Sequence, residues 1–301
     1  MRPLTIPIRS LMPAPEDAVD FMPMPREMTT FEMPRLPEPG PGNDVAGARD
    51  VLATFVSHLD AWLSAADEPA QRSADEAAQP GQAEPPALDL AGLAPDALRV
   101  LNETLGEGEV AAIIDADREI RIQESVFAGV WREQHFDGSG ALLHDYLLAA
   151  PIPPVVTAFA RDRAAPRLRA LELPVGAMNV PALIHELQHA MDRSGPGAPA
   201  HVINLTLLPM SPEDTAHIDQ VLDGGSVVIL SRGFGNCRIT STVVRDTWWV
   251  QYFNNMDRTL LDSIEMTRIP EVAMAGREDI RDSAMRIGEV REWLEQSEAG
   301  E

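Results

Sequence analysis

A chain of 301 residues with 45% apolar content can build one large core or two small ones, while 5% aromatics and 26 prolines leave part of it outside any core. Against 24 Lys and Arg stand 47 Asp and Glu, a net charge of -23. That balance argues against nucleic acid as a partner and favours a basic protein or peptide.

One cysteine, Cys237, excludes an intramolecular disulfide framework. The first twenty residues, "MRPLTIPIRSLMPAPEDAVD", have their apolar run broken by Pro and Arg, unlike a secretory segment. The most apolar stretch, residues 147–160, is too short and too rich in Pro to span a bilayer. A reducing cytoplasm without stable membrane insertion is the expected setting.

Residues 1–44 read as an extended arm, because Pro interrupts helices and removes strand donors. Within it Phe21, Met22, Met24, Met28, Phe31 and Met33 stand among prolines. That apolar density exceeds a solvated linker's and predicts docking, on the chain itself or on a partner. Apolar spacing at Val51, Leu52, Phe55, Leu59 and Trp62 predicts a helix over 44–65. The acidic, Ala/Gln/Pro-rich stretch 68–86 reads as a flexible linker.

From there the chain repeats. Shifted by 117 residues, 95–136 aligns with 212–253 without a gap, matching Pro95/Pro212, Leu105/Leu222, Gly108/Gly225, Val110/Val227, Arg121/Arg238, Ile122/Ile239, Val126/Val243, Trp131/Trp248 and Phe136/Phe253. Each copy reads as a Pro-started helix, a Gly turn and a three-stranded antiparallel meander; in the second copy the strands are 226–230, 237–244 and 248–253. Possible strands at 87–93 and 203–208 precede those helices, and amphipathic helices at 44–65 and 180–193 precede the strands.

The expected fold is therefore α+β, an internal duplication of a helix–strand–helix–meander unit. The expected organisation is an arm over 1–44, a first repeat over 45–150, a connector over 151–179, a second repeat over 180–275, and a C-terminal helix and tail over 276–301.

"HELQH" at 185–189 has the zinc-peptidase spelling, with His185 and His189 one helical turn apart and Glu186 placed to polarise a bound water. A third ligand is not evident. Leu183, Ile184, Leu187, Ala190 and Met191 supply an apolar stripe that leaves the triplet on the wetter side, so the expected metal set is none and a zinc hydrolase is the alternative.

The densest polar and aromatic group lies in 233–273. Arg238, Thr240, Arg245, Trp249, Gln251 and Tyr252 are the residue types of binding surfaces. Trp248, aligned with Trp131, is expected in the core. Cys237 reads as a buried strand residue, with Fe–S or metal carriage as the alternative. No nucleophile–base pair or phosphate loop is evident, so neither an enzyme nor a cofactor is expected.

"IQESVFAGVW", "DYLLAAPIP", "GFGNCRITSTVVRDTWWVQYFN" and "IPEVA", with the arm segment "DFMPMPREMTTFEMPRLPE", resemble the HupH/HyaF hydrogenase expression proteins. "HELQH" lies outside these segments. The resemblance implies a cytoplasmic, non-enzymatic chaperone in NiFe hydrogenase maturation. Its implied partners are the Fe–S small-subunit precursor before twin-arginine export and a thioredoxin-like HupG/HyaE-type accessory protein.

Overall fold

The computed structural model describes residues 45–67, 84–116, 118–193, 195, 198–233 and 235–299. The arm and most of the acidic linker lie outside them. The fold is α+β with a ten-stranded antiparallel sheet, packed as two compact units.

The first unit contains described residues within 45–109, 118–154 and 274–299. It holds α1 (Val45–Asp67), β1 (Ala87–Asp89), α2 (Pro95–Leu105), β3 (Glu119–Glu124), β4 (Val130–Phe136), β5 (Leu142–Ala149) and α6 (Arg277–Ala299), with strand order β1-β5-β4-β3. Helix α1 buries Val45, Ala48, Leu52, Phe55, Leu59 and Leu63, the three-four spacing that keeps one helical face inward. That face joins Val100, Leu101 and Leu105 of α2 and Ile280, Ala284, Ile287 and Leu294 of α6 in one core. The last helix thus packs in the unit that contains the first.

The second unit contains described residues within 110–116 and 155–273. It holds β2 (Val110–Asp115), α3 (Pro154–Asp162), α4 (Val180–Arg193), β6 (His201–Asn204), α5 (Pro212–Leu222), β7 (Gly224–Ser231), β8 (Asn236–Thr242), β9 (Thr247–Phe253) and β10 (Thr259–Met266). Its strand order is β2-β7-β8-β9-β10-β6. Val180, Leu183, Leu187 and Ala190 of α4 and Ile218, Val221 and Leu222 of α5 cover its sheet with Ile203, Ile264 and Met266.

Three points differ from the expected organisation. The meander has a fourth strand in each half, β5 and β10, and the short strands β1 and β6 pair with these fourth strands. Their sequences, "LLHDYLLA" and "TLLDSIEM", place Asp145 and Asp262 where alternation calls for apolar residues. Both carboxylates are hydrogen-bonded to neighbouring side chains, which makes polar groups acceptable on a covered face. The connector carries a helix of its own, α3, and the strand expected at 203–208 runs over 201–204 before a 3-10 turn at Leu205–Leu207.

Hydrogen bonds recur at the 117-residue spacing. Val126 N donates to Leu105 O and Val243 N to Leu222 O, each at 2.9 Å. Ser125 Oγ donates to Phe127 O and Thr242 Oγ1 to Val244 O, each at 3.1 Å. The buried indoles of Trp131 and Trp248 donate to Ala150 O and Thr267 O at 2.8 and 3.2 Å. Left-handed residues follow the same spacing: Gly129 with Asp246, and Gly140 with Asp257.

Two close approaches hold the entry to α5 and the entry to β2. Asp214, fully buried at the third position of α5, accepts from the amides of Met178, Asn179, Val180 and Ser211 at 2.8–3.2 Å. One carboxylate therefore caps α5 and faces the amino end of α4. Burial opposes its charge, and the backbone donors outweigh burial, holding the carboxyl well below its ordinary range. Gly108 lies so near the end of β3 that a Cβ would sit 2.2 Å from Ser125 O.

Asp214→Asn should lower stability by about 2–4 kcal/mol at neutral pH, because the charged acceptor is lost while its donors stay buried. A depressed carboxyl contributes stability above its unfolded pKa of about 3.9, lost as pH falls from there toward the folded value. Urea unfolding at several pH values should therefore show the difference between wild type and variant narrowing only below about pH 4. Gly108→Ala should cost about 1–3 kcal/mol through overpacking against backbone, read as a lower denaturant midpoint with an unchanged slope.

Candidate functional site

Strands alternate sides, and β8 and β9 are in antiparallel register with Arg238 opposite Gln251 and Thr240 opposite Trp249. All four side chains therefore share one face. Above that face the end of α5 brings Asp219 and Gln220, and the turn into β7 brings Asp223, Gly224 and Gly225. Arg169 and Leu171 complete the wall of a cavity of about 670 Å³.

Gly225 is part of the close packing beneath it: a Cβ there would meet Ser241 Oγ at 2.3 Å. Asp262, one strand further on β10, orients the floor. It accepts from Trp249 Nε1 and, at 3.3 Å, from Gln251 Nε2. Its own amide donates to Thr206 Oγ1 at 2.7 Å. Arg238 lies over the Phe253 ring, 5.4 Å from its centroid.

The cavity is electrostatically unfinished. Asp219 Oδ1 and Arg238 Nε are buried with no hydrogen-bond partner among the described residues. Burial, and then the nearby charge of Asp262, push the Asp219 carboxyl up to about 6. Burial raises Asp262 as well, against the hydrogen bonds from Trp249 and Gln251. Arg238 is lowered by burial, with Asp257 acting in the opposite direction. The arrangement is a polar, aromatic-sided cavity in which neither Asp219 nor the nearby Asp262 has an ion-pair partner among the described residues.

Four of the six surface candidates of β8–β9, namely Arg238, Thr240, Trp249 and Gln251, come together here. Tyr252 does not: it sits opposite Cys237 on the other face of the sheet. Arg245 does not either, being exposed in the turn between β8 and β9. Phe21, Met22, Met24, Met28, Phe31 and Met33 lie outside the described residues. Sequence reading missed Asp219 and Asp223, which line the cavity from α5 and its following turn, and Asp262, which holds Trp249 and Gln251 from the unforeseen fourth strand. The signal available for Asp262 was its 117-residue spacing from Asp145, together with the identical pair Gln134/Gln251.

The metal alternatives find different surroundings. His185, Glu186 and His189 are exposed on α4, and Glu186 meets His201 at 3.0 Å. Cys237 is buried, and burial pushes its thiol up to about 12, with Tyr252 and Glu265 as neighbours. Among the described residues no group of three or more His, Cys, Asp or Glu is placed to hold a metal ion, and no helix is long and apolar enough to cross a membrane.

The family model for the HupH hydrogenase expression protein, C-terminal conserved region, matches residues 48–173 and 177–294. The chain belongs to this family. It is 39% identical to the hydrogenase expression/formation protein HoxQ of Cupriavidus necator, over 98% of this chain and 99% of that one. It is 42% identical to HupQ of Azotobacter chroococcum, over 93% of each, and 37% identical to the hydrogenase-1 operon protein HyaF of Escherichia coli, over 72% of this chain and 76% of that one. A solved structure of the hydrogenase expression protein HupH from Thiobacillus denitrificans aligns with 36% of this chain and 92% of its own, at 23% identity and a TM-score of 0.34.

Asp219 has a direct consequence for stability. A carboxyl raised on folding binds its proton more tightly in the native state, so stability is highest below the unfolded pKa and falls as pH rises from about 4 to about 6. Asp219→Asn should remove that slope and raise stability at pH 7, by on the order of 1 kcal/mol because solvent at the open side screens the site. Thermal unfolding of both proteins across pH 4–7 checks the sign.

Proposed function

We propose that this chain is a non-enzymatic accessory chaperone in NiFe hydrogenase maturation. In this reading it holds the Fe–S small-subunit precursor in the cytoplasm, before twin-arginine export, and works beside a thioredoxin-like HupG/HyaE-type protein. The observation that carries it is the convergence of Arg238, Thr240, Trp249 and Gln251 on one cavity with unpartnered polar atoms. Membership of a family whose relatives bear the name hydrogenase expression/formation protein supports it. So does the net charge of -23, which suits the holding of a basic, export-bound chain.

We infer also that the chain is an internal duplication, with repeats over 45–150 and 180–275 joined by 151–179. The hydrogen bonds and left-handed residues recurring at 117-residue spacing support it. The Met- and Pro-rich arm, Phe21 to Met33, serves as a second contact for the held chain.

Affinity capture of the small-subunit precursor by the full chain tests this function. Arg238→Ala with Trp249→Ala should weaken capture at least about tenfold, as expected for central binding residues. Raising the ionic strength should weaken it further. Undiminished capture by a folded double variant would remove the cavity from the holding surface.

A further inference from the structure

The two units carry the same frame of side chains at 117-residue spacing, and they differ at one decisive position. In the first unit Arg132 of β4 donates through Nε and Nη2 to both oxygens of Asp145, and through Nη1 to Asn102 Oδ1. Gln134 Nε2 approaches the same carboxylate at 3.5 Å. The guanidinium is buried and its fork is matched by a bidentate carboxylate and an amide oxygen. The positions 117 residues on are Trp249 for Arg132, Asp262 for Asp145, Gln251 for Gln134 and Asp219 for Asn102.

The second unit therefore keeps every acceptor and lacks the cation. Trp249 satisfies one oxygen of Asp262, Gln251 leans on the other, and Asp219 Oδ1 is buried without a hydrogen-bond partner among the described residues. Where the first unit has one carboxylate and an amide around a guanidinium, the second has the Asp219 carboxylate in the wall of a cavity of about 670 Å³, with Asp262 behind Trp249 and Gln251. Arg238 is not the missing cation. It lies over Phe253 as Arg121 lies over Phe136, at 5.4 and 4.6 Å, so both units retain it as part of the frame. Arg169 stands exposed on the rim.

From this difference we infer that the cavity of the second unit receives the guanidinium of an arginine side chain from a bound polypeptide, with Asp219 as its acceptor and the Trp249 indole, held by Asp262, beside it. The first unit supplies that occupant internally and so displays its chemistry. A planar fork pairs with a carboxylate through two parallel bonds, as Arg132 does with Asp145, and an ammonium does not, so the site should prefer arginine to lysine. The inference rests on the chaperone reading only for which polypeptide carries the arginine.

The test uses the full chain and three peptides, acetyl-Ala-Arg-Ala-amide and its citrulline and lysine counterparts. Nuclear magnetic resonance follows the Trp249 indole N–H, and calorimetry measures affinity. The arginine peptide should shift that resonance saturably, bind at least about tenfold more tightly than the citrulline peptide, and bind more tightly than the lysine peptide. Asp219→Asn should weaken arginine binding at least about fivefold. Trp249→Arg should place a guanidinium inside, abolish binding and raise the thermal midpoint.

A resonance indifferent to the arginine peptide, or equal response to citrulline, would overturn the inference. So would full affinity in Asp219→Asn, which decides the matter alone if Trp249→Arg does not fold. A chain that captures the precursor but ignores the peptide would sink this inference and leave the chaperone reading intact. Peptide binding without precursor capture would do the reverse.

Discussion

The burial of one indole in each half sets everything around it. Trp248 is 1% exposed and hydrogen-bonded through Nε1 to Thr267 O, beyond the end of the adjoining strand. A buried indole N–H needs an acceptor, so this bond holds β9 in one rotational phase relative to β10. Because strand side chains alternate, Trp248 facing one side obliges Trp249 and Gln251 to face the other. The cavity floor, its orientation by Asp262 and its pairing with Arg238 and Thr240 all follow from that phase.

The roof has a comparable origin. Asp214 secures the amino ends of α4 and α5 together with one buried charge, and α5 ends at the turn that brings Asp219 and Asp223 over the sheet. The unit thus combines an anion fully satisfied by backbone donors with one left short of donors a turn and a half further along the same helix. The contrast separates a carboxylate that holds the fold from one that the fold tolerates at a cost, the pattern expected where binding and stability compete.

Much of this was legible in the chain. Helices α1, α2, α4, α5 and α6 follow the apolar spacing and the Pro and Gly signals closely, because their cores are one-sided and their ends carry local chemistry. The alternation in "CRITST" separates Arg238 and Thr240 from Cys237, and the alignment with Trp131 separates a core Trp248 from a surface Trp249, as the sheet does. What failed to show were the fourth strands, since Asp145 and Asp262 occupy covered positions that only a tertiary partner makes acceptable. With β10 unseen, Asp262 had no route to the site. Asp219 was hidden for another reason: on a helix of modest amphipathicity an acidic residue reads as solvated, and only the sheet beneath reveals that it is half-covered. Tyr252 and Arg245 were grouped with the cavity by proximity in sequence, which neither strand alternation nor an exposed turn respects.

The seclusion of Cys237 bears on the company this protein can keep. The chain has a single sulfhydryl, and with its proton held up to about 12 the reactive thiolate is scarce at neutral pH. Exchange with a disulfide requires that thiolate and an open line of attack, and a core position on β8 denies both. The protein can therefore stand against cysteine-rich or redox-active surfaces without being drawn into mixed disulfides, and it offers them no competing thiolate.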